Sequence, residues 1–525
     1  MTRDIEDTVK QVKACRSWSG VLVVTVVMRP DKFSCPNDCH MCPKEPGQPR
    51  SYLSTEPAVA RANKNEFDAV KQFDSRMNML HNNGHTLDKI EIIVLGGTFS
   101  SYPRDYQEEF VRDLFYAANT YTHQESHTAR REPKGIQYEK AKNETAHKKI
   151  IGISLETRPD HINKYELRRF RRLGCTRIQI GVQHTDNYLL EIINRGHTVE
   201  QSIHAIQLIK QAGFKLDVHI MPDLPGATPN GDKEMIRTVL TDERFVPDYL
   251  KLYPCLDVDF TEIREWKKSG QWEPYAETNK GQTLLDVCLV AKEYSKEFIR
   301  YNRIQRDFPE EKPDLVGYSS TYIRNNFRQM LQNYAKKHGI TCLCIRCREV
   351  KNKKIEPQRI KHTEYASSGG GEHFISITNG RDTTLYGFIR LRLQRESIFS
   401  ELNGIALIRE LHVYGFLQTT AKGAAKSNRS QIQHRGLGKA LLASAENAAY
   451  RSGFYTVAVI SGVGVREYYR KQGYELRFST EYMCKRLSAW TCLTNAWTII
   501  VFKVQNIIWI CGEMLRKRSQ KRCAR

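Results

Sequence analysis

Apolar residues in the first three hundred positions come in short runs of strand length. The runs are "VLVVTVVM" (21–28), "IEIIVLGG" (90–97), "KIIGISLE" (149–156), "RIQIGVQ" (177–183), "FKLDVHIM" (214–221) and "DYLKLYP" (248–254). They are continuous rather than alternating, the pattern of strands covered on both faces. Amphipathic stretches of helical period lie between them, such as "SIHAIQLIKQAGF" (202–214), closed by a glycine. Strand–helix repetition at this interval predicts parallel strands with crossover helices. Six such units predict an α/β fold, a barrel or partial (β/α) barrel whose chemistry lies at the C-terminal strand ends.

Three stretches break this rhythm. Residues 122–149 carry almost no apolar side chains and read as a mobile basic loop. "CLCIRC" (342–347) marks a boundary. Beyond it lies a different unit, with strands at 383–393 and 405–415, a polar linker at 419–432 and a glycine-opened helix at 433–453.

The chain has 525 residues, with 81 Lys+Arg against 59 Asp+Glu and a formal net charge of +22. That balance favours a polyanionic partner, nucleic acid or an anionic membrane. Six of the 14 cysteines sit in two tight clusters, and the N-terminus is polar and charged rather than signal-like. Cysteines used as metal ligands in a reducing compartment are therefore expected, rather than a disulfide framework.

The first cluster, "SCPNDCHMCPKEPG" (34–47), holds Cys35, Cys39 and Cys42 spaced C-x3-C-x2-C directly after the first strand. A [4Fe–4S] cluster normally takes four thiolates. Three leave one iron with an open position, which can chelate the amino and carboxylate groups of S-adenosylmethionine in the radical enzymes. Gly96 and Gly97, ending the second run, would let backbone carbonyls approach the methionine amino group.

In the second unit, "QHRGLG" (433–438) has the Q-x-x-G-x-G form of the GNAT acetyltransferase fold. Its glycines open a helix whose free N–H groups suit the pyrophosphate of coenzyme A.

The chain resembles the catalytic subunit family of Elongator, the tRNA wobble-uridine acetyltransferases. The stretches that carry this include "SGVLVVTVVMRP", "CPNDCHMCP", "LGGTFSSYP", "ISLETRPD", "NRGHT", "MPDLPG", "KLYP", "IRELHVYG", "QHRGLGKALL" and "ISGVGVREYYRKQGY", in family order over residues 17–487. The resemblance implies a radical SAM partial TIM-type barrel (17–335) followed by a GNAT domain (366–487). A short N-terminal extension (1–16) precedes them, and a cysteine-bearing linker (336–365) separates them. It further implies that an adenosyl radical takes hydrogen from the methyl group of acetyl-CoA. The acetyl radical adds to uridine C5, and thioester hydrolysis leaves a carboxymethyl group. By family match, acetyl-CoA meets Lys89, Glu410, Leu411, His412, Val413, Leu437, Gly438, Lys439 and Tyr469. Tyr469 is also the candidate catalytic hydroxyl, near the coenzyme A sulfur. Tyr468 and His412 otherwise read as core residues, His412 with no general-base role.

Cys342, Cys344 and Cys347 resemble part of a structural zinc site whose fourth ligand the sequence does not name, unligated thiols being the alternative. The expected tRNA contacts are basic runs at 168–174, 128–135 and 351–362, the first offering Arg168, Arg169, Arg171 and Arg172. Elongator-type subunits and a second copy of the chain are further expected partners. The short N-terminal region leaves docking into such a complex open.

Beyond Leu487 lies an apolar tail (488–525) with a basic end. Residues 488–511 contain one charge, Lys503, among three tryptophans. The sharper reading is a cytoplasmic protein tail-anchored to a membrane. Nine aliphatic or Phe side chains contribute roughly −3 to −5 kcal/mol, and a central Lys costs about +2.5 to +3.5. An interfacial amphipathic helix, or a helix packed on the protein, is the alternative. Two rival functions stand beside the main one: a protein lysine acetyltransferase using only the second domain, and an RNA-binding scaffold whose chemistry has lapsed.

Overall fold

The computed structural model describes residues 19–33, 35–122, 130–306, 326–351, 353, 355–415, 436–477 and 479–523. The expected N-terminal extension, the linker at 419–432 and the start of "QHRGLG" lie outside the described residues.

The first sheet holds seven strands: β1 (Leu22–Val27), β2 (Lys89–Leu95), β3 (Lys149–Thr157), β4 (Cys175–Gln183), β5 (Lys215–Ile220), β6 (Tyr249–Leu252) and β7 (Arg300–Ile304). Each pairs in parallel with the next in chain order, and β7 does not pair with β1. The result is the expected partial barrel. The seventh strand, "RYNRI", escapes the apolar-run pattern because only Tyr301 and Ile304 are buried.

Burial on both faces does not hold for every strand. Along β2, Ile90, Ile92 and Val94 are buried, whereas Lys89, Glu91, Ile93 and Leu95 face an open lumen.

The loop reading of 122–149 is corrected in part. Residues 123–129 lie outside the described residues, but Ile136–Asn143 is a helix and β3 begins at Lys149. The helix escapes an apolar-pattern search because its buried face is polar. Glu139 pairs with Arg131 at 2.6 Å, and buried Lys140 pairs with Glu481 at 2.9 Å.

The second sheet contains β8 (Gln358–Ser367), β9 (Gly370–Asn379), β10 (Leu385–Leu393), β11 (Ala406–Val413), β12 (Thr456–Val459), β13 (Glu475–Arg477) and β14 (Tyr482–Arg486), in the order 13-14-12-11-10-9-8. It begins at Gln358, inside the stretch expected to be linker, because β8 pairs with β9 along its whole length. β11 and β12 are parallel but pair only over Ala406–Ile408. Past Ile408 they part, and Arg409–Val413 leave an edge free of that partner.

This sheet docks on the N-terminal mouth of the barrel. At Gly462 an added Cβ would lie 1.9 Å from the Ile151 carbonyl oxygen, so only glycine permits the approach. Three helices matter below: α1 (Lys164–Arg172), α2 (Leu437–Arg451) and α3 (Ala489–Cys523). Helix α3 packs on α2. Among the described residues no helix is long and apolar enough to cross a membrane, and the tail-anchor expectation is corrected accordingly. Asn495 and Asn506 instead bond to Glu446 and Gln358 of the second domain.

Candidate functional site

A cavity of about 1350 Å³ runs through the barrel lumen into the cleft beneath β11. Every second residue of β2, from Lys89 at the N-terminal mouth to Leu95 at the other end, lines it. At roughly 3.3 Å per residue the lumen is about 20 Å long. Twelve Lys and Arg side chains line it against five Asp and Glu. The excess suits a ligand with several phosphates.

The three-cysteine loop closes the C-terminal end. Cys42 opens on the cavity, and burial pushes its thiol pKa up. Its sulfur lies 3.0 Å from Ser51 Oγ. Cys39 is buried, and two guanidinium groups, from Arg158 and Arg195, each place a nitrogen 3.6 Å from its sulfur. Arg158 also donates to the Arg195 carbonyl at 2.6 Å, which fixes both cations around the thiol. Cys35 is half-buried. Sequence reasoning missed Arg158 and Arg195; both stand in quoted stretches, "ISLETRPD" and "NRGHT", but nothing local marks them as sulfur partners.

Gly96 and Gly97 follow β2 directly, with φ of 140° and 86°. They bound a narrow crevice beside the cavity rather than lining the cavity itself. The Gly96 carbonyl accepts a hydrogen bond from Tyr102 at 3.0 Å.

At the opposite mouth, Glu410, Leu411, His412 and Val413 line the cavity along the free stretch of β11. Tyr249 of β6 bonds to the Glu410 carboxylate, and Arg390 holds its other oxygen at 2.9 Å. His412 Nε2 lies 2.9 Å from the Ser19 carbonyl, and burial lowers its pKa. Lys89 lines the same region, its pKa also lowered by burial. Gly438 and Lys439 start α2 facing the cavity, whereas the Leu437 side chain is turned into the core, leaving only its backbone for a ligand. Tyr468 and Tyr469 line the cavity too. The Tyr468 hydroxyl is buried without a hydrogen-bond partner, and burial raises its pKa to about 12.

Cys342, Cys344 and Cys347 bring three sulfurs within 4.8 Å of one another. Cys35, Cys39 and Cys42 are not gathered so closely. A single tetrahedral ion needs thiolates only about 3.8 Å apart, whereas a four-iron cluster spreads them. The two triads thus suit different groups. Lys292, buried and without a hydrogen-bond partner, stands 5.5 Å over the Tyr301 ring beside the second triad.

Three of the four arginines of α1 are engaged. Arg168 pairs with Glu401 at 2.5 Å and stacks on Phe399, and Arg169 bonds to Gln107. Arg171 is corrected as a phosphate contact. It is 2 % exposed and donates to the carbonyls of Cys175, Ser461 and Glu481, tying the domains together. Arg172 is exposed.

A three-cysteine loop at the C-terminal end of a partial barrel, joined to a sheet that splays at a glycine-opened helix, defines a radical SAM enzyme with an acetyltransferase-like domain. The Radical SAM superfamily model matches residues 33–239. The chain is 37% identical over 485 residues, 90% of its length and 99% of the relative, to a tRNA uridine(34) acetyltransferase of Dehalococcoides mccartyi. It is 34% identical to human Elongator complex protein 3 over 91% of this chain and 86% of that one. The solved archaeal Methanocaldococcus infernus Elp3 with an N-terminal deletion superimposes with a TM-score of 0.71 at 32% identity, over 89% of this chain and 100% of that one. The chain belongs to the tRNA uridine(34) acetyltransferase and Elongator complex protein 3 family.

Proposed function

We propose that this enzyme transfers the acetyl unit of acetyl-CoA to the wobble uridine of tRNA by radical chemistry, with hydrolysis of the thioester leaving carboxymethyluridine. One observation carries the reading: a single cavity is lined by Cys42 of the iron–sulfur loop and by Glu410, Gly438 and Tyr469 of the acetyltransferase-like domain.

Cys35, Cys39 and Cys42 would hold the [4Fe–4S] cluster, with S-adenosylmethionine beside Gly96 and Gly97. The donor set fits: a buried sulfur flanked by two guanidinium groups suits a thiolate of an anionic cluster. When bound, the cluster supplies the electron that breaks the sulfonium bond of S-adenosylmethionine. The lumen around it runs on to the mouth where Glu410, Gly438 and Tyr469 stand.

At the far mouth the free edge of β11 would bind the pantetheine arm through backbone groups of Glu410–Val413, and the α2 N-terminus at Gly438 and Lys439 would bind the pyrophosphate. Lys89 offers a cation at the same mouth. Tyr469 would stand by the thioester, with the unpartnered Tyr468 hydroxyl next to it. Cys342, Cys344 and Cys347 would hold a structural zinc ion, whose tris-thiolate charge Lys292 offsets. Exposed Arg172 and the basic cavity mouth would meet tRNA phosphates, with binding that falls as salt rises.

The test is anaerobic reconstitution with iron and sulfide, then incubation with acetyl-CoA, S-adenosylmethionine and tRNA, and nucleoside analysis. Carboxymethyluridine is expected, and Cys39→Ala abolishes it. Lysine acetylation that persists in Cys39→Ala with no uridine product from the native enzyme would overturn the proposal.

A further inference from the structure

The last helix carries its polarity inside out. Asn495 and Asn506 point inward, to Glu446 Oε2 at 2.8 Å and to the Gln358 carbonyl at 2.5 Å, with Phe502 buried between them. Most of its other large apolar side chains point outward. Trp490, Leu493, Trp497, Ile500, Val504 and Ile507 are all exposed, the two tryptophans by 74% and 67%. Their spacing of three and four residues places them on one arc of about 100°, opposite the inward-facing asparagines. Isolated surface hydrophobics are ordinary, but a continuous stripe of six on one helix marks an interaction surface.

The charge pattern identifies the occupant. The helix backbone continues to Cys523. Residues 514–525 carry six Lys and Arg and no Asp or Glu. A second copy laid against this face would bring two such cationic ends, on chains of net charge +22 each, into one assembly. An anionic bilayer surface satisfies both features. Its acyl boundary takes the apolar stripe, tryptophans favour its interface, and its headgroups attract the basic end. Lys503, exposed in the sequence of the stripe, can lay its stem along the boundary with its ammonium in the headgroups.

We propose that the outward face of α3 seats on an anionic phospholipid surface with the helix lying in the membrane plane. The second domain stays above it through Asn495, Phe502 and Asn506. This reading is independent of the reaction proposed above. It requires no spanning segment, in keeping with the absence of one among the described residues.

Flotation of the full chain with phosphatidylcholine vesicles, with and without phosphatidylserine, tests it. Binding is expected to the serine-lipid vesicles, weakening with salt, with tryptophan emission shifted to the blue and quenched by brominated acyl chains. The double variant Trp497→Glu, Ile500→Glu should lose roughly a hundredfold in vesicle affinity, since two large apolar side chains no longer leave water. Its circular dichroism and melting should not change, because both positions are exposed. Absence of native binding to either vesicle would overturn the proposal. So would a native dimer in light scattering that the same substitutions dissociate, because a second copy would then cover the stripe.

Discussion

Arg409 of β11 grips Asp248, the residue before β6, with two hydrogen bonds of 2.7 Å, and both side chains are fully buried. This bidentate pair joins β11, which lines the N-terminal mouth of the cavity, to the barrel. Asp248 also accepts the Leu216 N–H at 2.9 Å and faces Arg390 at 3.5 Å. Burial alone would raise its pKa, but Arg409 and Arg390 outweigh that and hold the carboxyl well below the usual range. A depressed folded pKa gives stability that is present above the unfolded value near 3.9 and is lost as pH falls below it. Asp248→Ala removes one of two buried carboxylates from each guanidinium, leaving Arg409 with Glu372 and Arg390 with Glu410, and should cost about 3–5 kcal/mol. Urea unfolding at neutral pH measures that loss. In Asp248→Asn the decline of stability below about pH 4 should be shallower than in the native protein. An unchanged acid limb would show that other carboxylates carry it.

The two guanidinium groups on Cys39 predict a redox effect. Hydrogen bonds to cluster sulfurs favour the reduced, more negative state and raise the potential. Arg158→Gln should therefore shift the reconstituted cluster to a lower midpoint potential in an EPR-monitored titration. Arg158→Lys, which keeps the charge, should shift it less. A potential unmoved by either substitution would mean that the arginines only position the loop.

What the sequence made legible follows from how each feature is encoded. Six of the seven barrel strands announce themselves as apolar runs, and the glycine-opened helix by its motif. β7 and the helix at Ile136–Asn143 do not: β7 buries only Tyr301 and Ile304, and the helix buries charges whose partners lie far along the chain, such as Glu481 for Lys140. The same cause hides the site's supporting shell. Arg158, Arg195 and Tyr249 gain meaning only when loops or strands distant in sequence meet. Arg171 misleads in the opposite sense: in a run of arginines it reads as a tRNA contact, yet three carbonyls from both domains surround its guanidinium.

Gly438 and Tyr468 make a sterically linked pair. A Cβ on Gly438 would stand 2.9 Å from the Tyr468 hydroxyl. Gly438→Ala should force Tyr468 out of place at a cost of about 1–3 kcal/mol, read as a raised KM for acetyl-CoA. Tyr468→Phe removes the clashing oxygen, so the alanine should be better tolerated in that background. The double-mutant cycle then shows a coupling of opposite sign to the single losses. Additive effects would place Gly438 away from the coenzyme.

The last prediction concerns Lys292. A buried ammonium without a hydrogen-bond partner is costly unless a negative charge stands near it. Three thiolates around a divalent zinc ion carry one net negative charge, and Cys342, Cys344 and Cys347 place their sulfurs close enough for a single ion. Metal and lysine should therefore stabilise each other. The purified protein should contain one zinc per chain by mass spectrometry, and Cys347→Ser should lose it. Lys292→Met should weaken zinc by about 10–100-fold in competition with a chelator, the range seen when an outer partner of a metal site is removed. In the metal-free protein the sign should reverse: with no thiolate charge to offset, Lys292→Met should melt higher than the native chain. A native protein that binds no zinc, and melts at the same temperature with and without chelator, would leave the triad as free thiols.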